Sequence, residues 1–171
     1  MARTKFITLI SLLCFVATAM ADNEFIENDI KYMLDDQAKT AKVISGGNCK
    51  GEVVIPDKLV VDGVGYKVTS IGDNAFTFAF FMTSIEIPNS ATSIGDGAFS
   101  SSGLTTIKIP SSVTQIGEML FSNCVSLHSI IVDENNKVYD SRNNCNAIIE
   151  TKTNCLITGC SNTVIPPTVT T

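Results

Sequence analysis

The residues of this chain that are best suited to chemistry are its six cysteines and its single histidine, His128. A Ser/His/Asp catalytic arrangement would have to recruit that histidine, which lies between Leu127 and Ser129 in an alternating polar and apolar run. The cysteines form none of the Cys-x-x-Cys pairs that are typical of zinc sites. We therefore interpret His128 as a structural residue, and we expect no catalytic residue, no cofactor and no metal site.

Two of the cysteines are predicted to face each other across a hairpin. If residues 147–157 (AIIETKTNCLI) form a β-hairpin with Ile148 opposite Ile157, the same register places Cys145 opposite Cys160 at a separation that suits a disulfide. A Cys145–Cys160 bridge is therefore one expectation, and two free thiols are the other. An odd number of cysteines follows residue 21, so at least one lacks a disulfide partner within the chain. These cysteines are Cys49, Cys124, Cys145, Cys155 and Cys160.

The segment Asp133–Asp140 (DENNKVYD) is rich in oxygen donors, as a calcium-binding loop would be. It lacks the central glycine and the closing glutamate of such a loop. We therefore interpret it as a polar turn, with a calcium site as the alternative. No pair of carboxylates is placed by a motif typical of glycoside chemistry.

The first residues have the composition of a secretory signal. Arg3 and Lys5 precede the apolar run Phe6–Met20, and Ala19-Met20-Ala21 fits the small-x-small cleavage pattern. We predict a signal peptide over residues 1–21, cleaved after Ala21, and hence a secreted or cell-surface protein. An uncleaved anchor is the alternative, but the run is shorter than the roughly 20 residues of a membrane-spanning helix. Loss of Arg3 and Lys5 changes the formal charge from −5 to −7, which disfavours a nucleic-acid partner.

The elements that would position these residues follow from an internal repeat. Two segments, TSIGDNAF (69–76) and TSIGDGAF (92–99), differ at one position. An Ile-Gly pair and a phenylalanine recur at spacings of 23 and then 22 residues, at Ile71, Ile94 and Ile116 and at Phe76, Phe99 and Phe121. A fixed period of this size is typical of a solenoid, in which each coil buries its apolar side only against a neighbour. We expect these isoleucines and phenylalanines to form two buried columns.

Each coil also contains a segment with the alternation of a β-strand: MTSIEIP (82–88), LTTIKIP (104–110) and LHSIIVD (127–133). In the second segment Ile107 and Ile109 face inward and Pro110 ends the strand. An acidic residue follows each Ile-Gly pair, and we expect it to accept hydrogen bonds from the N–H groups of a short helical turn. These acidic residues are Asp73, Asp96 and Glu118.

The motif LxxIxIPxxVxxIGxxAF is present over residues 104–121, with Met119-Leu120 in place of the small residue, and in related form over residues 82–99. It resembles the BspA-like class of bacterial leucine-rich repeat, and residues 138–166 are similar to a hairpin-bearing unit of that family. The resemblance implies a leucine-rich-repeat solenoid, mainly β with short helical turns. The parallel strands would lie on the concave face, between an N-terminal β cap and a C-terminal hairpin-bearing repeat. It also implies a buried thiol at Cys124 and no catalytic residues.

The chain is predicted to divide into a signal peptide (1–21), an N-terminal cap with a first partial repeat (22–67) and BspA-like repeats (68–171), the last of them incomplete. Within the cap, Asp62-Gly63 suits the tight turn of a hairpin. The final residues align Pro166 with Pro110 but provide no cap. The array either continues in a longer protein or associates end to end with another chain through this uncapped edge.

The outward strand positions are predicted to form one shallow polar patch on the concave sheet, and this patch is our candidate binding face. Its residues are Thr83, Ser84, Glu86, Thr105, Thr106, Lys108, His128, Ser129 and Ile131. Outward positions are polar in any soluble solenoid, so a face without a ligand is the alternative. The family resemblance implies a non-enzymatic, adhesin-like module that binds an extracellular protein or a cell-surface ligand. The second hypothesis is a passive spacer or cap segment of a larger surface protein.

Overall fold

The computed structural model describes residues 23–170, so the predicted signal peptide and its cleavage site lie outside the described residues. Fourteen short strands make up most of the regular structure, and the helical structure among the described residues is one 3-10 turn, Arg142–Asn144. The strands are β1 (Glu24–Glu27), β2 (Ile30–Asp35), β3 (Thr40–Ser45), β4 (Gly51–Val54), β5 (Lys58–Val61), β6 (Val64–Ile71), β7 (Met82–Glu86), β8 (Ser93–Ile94), β9 (Thr106–Ile109), β10 (Gln115–Ile116), β11 (Ser129–Val132), β12 (Tyr139–Asp140), β13 (Ala147–Glu150) and β14 (Cys155–Gly159).

The strands form the two walls of a leucine-rich-repeat solenoid. The concave sheet contains the parallel pairs β4–β7 and β9–β11, and the Thr105 N–H links the two pairs by donating to the Thr83 carbonyl at 2.9 Å. The second sheet has the order β1-β2-β3-β6-β8-β10, and β5 pairs with β6. The predicted parallel arrangement of successive coils is therefore confirmed.

The two predicted apolar columns fill the space between the walls. The Phe76 and Phe99 rings stack with centroids 5.6 Å apart, and Phe99 and Phe121 follow at 5.9 Å. All three phenylalanines are buried. Ile94 pairs in register with Ile71 on one side and with the half-buried Ile116 on the other. Each buried side chain of this size stabilises the fold by about 1.5–3 kcal/mol, so these columns dominate the cohesion of the coils.

The acidic column acts between coils rather than within one. The Asp73 carboxylate accepts from the Asp96 N–H at 3.1 Å, and the Asp96 carboxylate accepts from the Glu118 N–H at 2.8 Å. The predicted short helical turns do not form, because these segments are turns, and Asp73 and Asp96 each accept from a backbone N–H of the next coil instead. Close stacking also explains Gly95, where a Cβ atom would lie 2.6 Å from the Asp73 nitrogen.

The N-terminal cap extends only one of the two walls. Strand β3 pairs in parallel with β6, and β2 and β1 continue the same sheet as antiparallel strands. The predicted tight turn is confirmed, since β5 and β6 form a hairpin around Asp62 and Gly63, whose φ angles are +52° and +78°. Among the described residues, no strand pairs with the other edge of β4, so the concave sheet ends there.

The C-terminal unit contains the predicted hairpin, but in a different register. A bulge between Ile148 and Ile149 places Ile148 opposite Thr158, so the predicted pairing of Ile148 with Ile157 is wrong. Cys145 and Cys160 are free thiols, because the register that would bring them together does not form. Cys145 is buried, and burial raises the pKa of its thiol.

Candidate functional site

The structure brings the nine predicted residues of the concave face together on one surface. They lie on or directly before β7, β9 and β11, which follow one another across the concave sheet. Ile85, Ile107 and Ile130 are buried, and the six residues that directly flank them therefore face outward, whereas Thr83, Thr105 and His128 precede these alternating stretches. Ser84, Thr105 and Ser129 are half-buried, and the other six residues are exposed.

A hydroxyl group of this face forms a hydrogen bond with the main chain of the neighbouring strand. The Thr105 hydroxyl donates to the Thr83 carbonyl at 3.0 Å, and the His128 N–H donates to the Thr105 carbonyl at 3.0 Å. Thr106 and Ser129 lie in register beside them. The surface is therefore flat, with small side chains that offer little depth for a small molecule.

The charged column of the face contains one ion pair. Glu86, Lys108 and Ile131 occupy equivalent positions, and Lys108 is the register partner of Ile131. The Lys108 ammonium lies 2.9 Å from the Asp133 carboxylate, just beyond the end of β11. Its hydrogen bond is the main cause that lowers the pKa of Asp133, with help from the Asn135 N–H. Lys108 is exposed and Asp133 is half-buried. A pair this close to solvent contributes little to the fold, and the Lys108 ammonium stays accessible to a ligand.

The sequence reasoning missed a fourth rung of the face. Strand β4 pairs with β7 so that Glu52 lies beside Ser84, and the exposed Val54 lies beside Glu86. The sequence contains a signal for this fourth strand. Residues 53–56 (VVIP) end in Ile-Pro, as residues 85–88 (IEIP) do at the end of β7. The concave face therefore spans four strands.

A group of exposed aromatic rings was also missed. Phe78, Phe80 and Phe81 form what we call the aromatic patch, and their side chains are 60%, 62% and 71% exposed. The Phe78 and Phe80 rings are 5.7 Å apart. The patch lies in the turn that leads into β7, where the next coil has serines and a glycine. A usable signal was that four of the nine phenylalanines fall within residues 76–81, of which Phe76 alone fits the interior period.

The other candidates for chemistry have structural surroundings. In the segment 133–140, Asn136 is buried and its amide donates to the Pro110 and Val113 carbonyls at 2.9 Å each. This segment is the polar turn that we predicted. Cys124 is half-buried, not fully buried as the resemblance implied, and its thiol lies 2.9 Å from the Phe99 carbonyl.

Residues 23–170 contain neither a metal-binding cluster nor a membrane-spanning helix. No group of three or more His, Cys, Asp or Glu side chains in this range has the geometry to hold a metal ion. No helix within the same range has the length and apolar character needed to cross a membrane.

The sequence matches a family described as "BspA type Leucine rich repeat region", in six copies over residues 65–165. No curated protein matches the chain. The fold is similar to that of the pneumococcal vaccine antigen PcpA, with a TM-score of 0.50 and 16% identity over 85% of this chain and 59% of that one.

Two other solved structures are similar at lower TM-scores. A leucine rich cell surface protein from Faecalibacterium prausnitzii has a TM-score of 0.42 and 16% identity, over 82% of this chain and 62% of that one. A leucine-rich repeat protein from Bacteroides capillosus has a TM-score of 0.47 and 22% identity, over 66% of this chain and 99% of that one. The chain thus spans about three fifths of the length of PcpA and of the Faecalibacterium protein.

Proposed function

Because this chain belongs to the family of BspA-type leucine-rich repeat proteins, we propose that it is a non-enzymatic, adhesin-like interaction module that is exported or displayed at the cell surface. Its ligand would be an extracellular protein or another cell-surface molecule. The observation that carries the proposal is the concave face, a four-stranded surface of small polar side chains presented by a rigid solenoid.

The size of the face indicates how such a module would work. An ordinary stable interface uses about 20 to 30 residues on each side, and the four rungs offer roughly half of that number. We therefore expect weak binding by a single chain. Useful strength would come from avidity, either through further coils or through many displayed copies.

The C-terminal edge offers a route to such an assembly. Ile165 is 47% exposed, whereas its repeat equivalents Ile109 and Val132 are buried. An exposed apolar side chain at this repeat position would gain burial if another coil stacked on it. End-to-end association through this edge is therefore part of the proposal, and sedimentation velocity over a concentration series tests it. An increase in mass with concentration that Ile165→Asp abolishes would support the association, and a concentration-independent monomer would contradict it.

The binding proposal is tested by placing two large charged side chains on the concave face. Thr106 and Ser129 are register partners there, and Gln115 and Ser93 are register partners with similar exposure on the second sheet. The purified chain is passed over a panel of extracellular-matrix proteins and glycans. We expect a ligand whose binding Thr106→Arg/Ser129→Arg weakens by about ten-fold, whereas Gln115→Arg/Ser93→Arg leaves binding unchanged.

The second candidate function is a passive spacer. It is favoured by the use of the Thr105 hydroxyl within the strand ladder, where it is not free for a ligand. In the same experiment a spacer would bind no panel member more strongly than a denatured control. That result would overturn the adhesin-like proposal. The N-terminal sequence of the exported protein separately tests the signal prediction, which expects Asp22 as the first residue.

A further inference from the structure

A groove of about 840 Å³ separates the aromatic patch from the N-terminal cap. Its walls are the β1–β2 turn at Asn28 and Asp29, the loop that ends at Lys50, and strand β4. The patch closes its remaining side. The groove lies at one end of the concave sheet, away from Thr106 and Ser129 of the candidate face.

The edge of β4 that faces away from β7 carries unpaired main-chain groups. Strand β4 pairs with β7 through alternate residues: the Gly51 N–H donates to the Phe81 carbonyl at 2.7 Å, and the Ile55 N–H donates to the Glu86 carbonyl at 3.1 Å. The N–H and C=O groups of Glu52 and Val54 therefore point to the opposite side. The inward-facing Val53 also lines the groove, so the groove reaches the edge of the strand as well as its outer surface.

One residue of the aromatic patch, Phe78, has an unusual backbone conformation. Phe78 has a φ angle of +63°, and the equivalent positions in the next two coils are Ser101 at +54° and Asn123 at +57°. Small polar residues tolerate this left-handed region, whereas a bulky aromatic residue there is uncommon. The chain thus holds an exposed ring at a position where the other coils use a small polar side chain. Strained residues of this kind cluster at binding and active sites.

The charges around the groove indicate the kind of partner that it fits. Asp29 and Glu52 contribute two carboxylates, and Lys50 contributes one ammonium group, 5.9 Å from the centre of the Phe81 ring. The lining is therefore apolar on one wall and net negative on the others. An apolar side chain suits the rings, and a basic side chain suits Glu52.

We propose that this groove binds an extended peptide segment of another protein, which adds to β4 as a further strand. The peptide main chain pairs with Glu52 and Val54, an apolar side chain lies on the aromatic patch, and a basic side chain lies beside Glu52. This is recognition by strand addition, in which main-chain hydrogen bonds bind the peptide and alternate side chains select it. The inference names a second site, which shares only strand β4 with the concave face and does not depend on Thr106 or Ser129.

A glycan is the competing ligand, because exposed rings also stack on sugars. The unpaired edge favours a peptide, since its donors and acceptors alternate with the spacing of a polypeptide chain. Strand β4 comprises only Gly51–Val54, so the stretch that can pair with a peptide is short. The rings are therefore expected to supply most of the affinity and the main chain most of the orientation.

The test uses a phage-displayed library of random linear dodecapeptides selected on the purified chain. Enriched peptides are synthesised, and their dissociation constants are measured by fluorescence anisotropy. We expect the enriched peptides to share an apolar residue and a basic residue at a fixed spacing. They should bind Phe80→Ser/Phe81→Ser at least about ten-fold more weakly than wild type. The matched control is Val125→Ser/Met119→Ser, which removes two exposed apolar side chains from another coil and should change binding by less than about two-fold. Val125 is the third-coil equivalent of Phe80, and both variants are checked by thermal melting.

N-methylation of single peptide amides distinguishes strand addition from simple hydrophobic contact. Methylation of amides that pair with β4 should abolish binding, whereas methylation of the alternate amides should not. Equal binding to wild type and Phe80→Ser/Phe81→Ser, or insensitivity to every N-methyl group, would overturn the proposal. A failure to enrich any peptide would also overturn it, as would glycan-array signals that the same variant abolishes. Peptide binding that survives Thr106→Arg/Ser129→Arg separates this site from the proposed function.

Discussion

The regular coils and the C-terminal hairpin unit are held together by different forces. In the coils, residues 65–132, each segment stacks on an equivalent of itself, and the Phe76 and Phe99 N–H groups donate to carbonyls of a neighbouring coil. The hairpin unit, residues 133–170, is irregular, and its hairpin strands β13 and β14 pair antiparallel with each other rather than in parallel with an equivalent strand of a neighbouring coil. A small separate apolar cluster of Cys145, Ala147 and Ile149 lies within it, whereas Tyr139 and Ile148 join the main core of the coils. Polar side chains also help to set its position.

Asn136 shows how the hairpin unit is attached. Its amide donates to the Pro110 and Val113 carbonyls of a regular coil, and its side-chain oxygen accepts from the Val138 and Tyr139 N–H groups. One buried side chain thus joins the end of the coils to the start of the hairpin. A repeated unit obtains its register from its columns, whereas an irregular unit needs specific hydrogen bonds. The predictions that follow test this difference.

The largest effect is expected in the phenylalanine column. Phe99→Ala removes the middle ring, which contacts both neighbours, and should lower the free energy of unfolding by about 3–5 kcal/mol. Urea unfolding followed by circular dichroism measures the change. Phe81→Ala is the control, and an exposed ring should cost less than about 0.5 kcal/mol. A loss below about 1 kcal/mol for Phe99→Ala would contradict the claim that the columns dominate the coils.

A smaller and more local effect is expected at the junction. Asn136→Ala leaves two buried carbonyls and two N–H groups without their partner and should cost about 2 kcal/mol. Hydrogen exchange should show the loss in β12 and β13, with β8 and β10 little changed. The control is Asn135→Ala, since Asn135 is exposed and lies next to Asn136 in the chain. Equal loss of protection in the coils and the hairpin would show that the two regions unfold as one.

The smallest effect is expected when the pH is lowered. The Arg142 guanidinium donates to both carboxylate oxygens of Asp140, at 2.8 and 2.6 Å, and holds the pKa of Asp140 below its ordinary value. A carboxylate with a depressed folded-state pKa stabilises the fold above its unfolded pKa of about 3.9. That contribution is lost as the pH falls through the folded-state pKa. Solvent screening keeps it below about 1 kcal/mol.

Asp140→Asn is the variant that isolates this effect. Wild type should lose exchange protection in the hairpin unit as the pH falls below about 4, and the variant should lack that step while already being less stable at neutral pH. The difference between the two proteins is the relevant quantity, because other carboxylates titrate in both. Parallel pH profiles for wild type and variant would contradict stabilisation of the hairpin unit by the ion pair of Asp140 and Arg142.

The parts of the fold that repeat were predictable from the residues alone. The spacing of Phe76, Phe99 and Phe121 predicted their stacking, since only neighbouring coils can bury side chains with that period. The turn at Asp62-Gly63 was predictable because it is a local preference of the backbone. The register of the hairpin was not, because a bulge beside Ile148 shifts the pairing and leaves no signature in the order of apolar residues.

The candidate surfaces divide in the same way. The alternation of polar and apolar residues along each strand predicts, from the sequence alone, that Lys108 and Ile131 face outward. The groove beside the aromatic patch depended on which strands lack a neighbour, and that was decided when β1 and β2 extended the second sheet and left β4 at an edge. Burial that recurs at a fixed period depends on the residue type at each position, so it can be read directly from the sequence. An open edge and a groove arise only from the packing of distant segments, so the tertiary structure alone decided them.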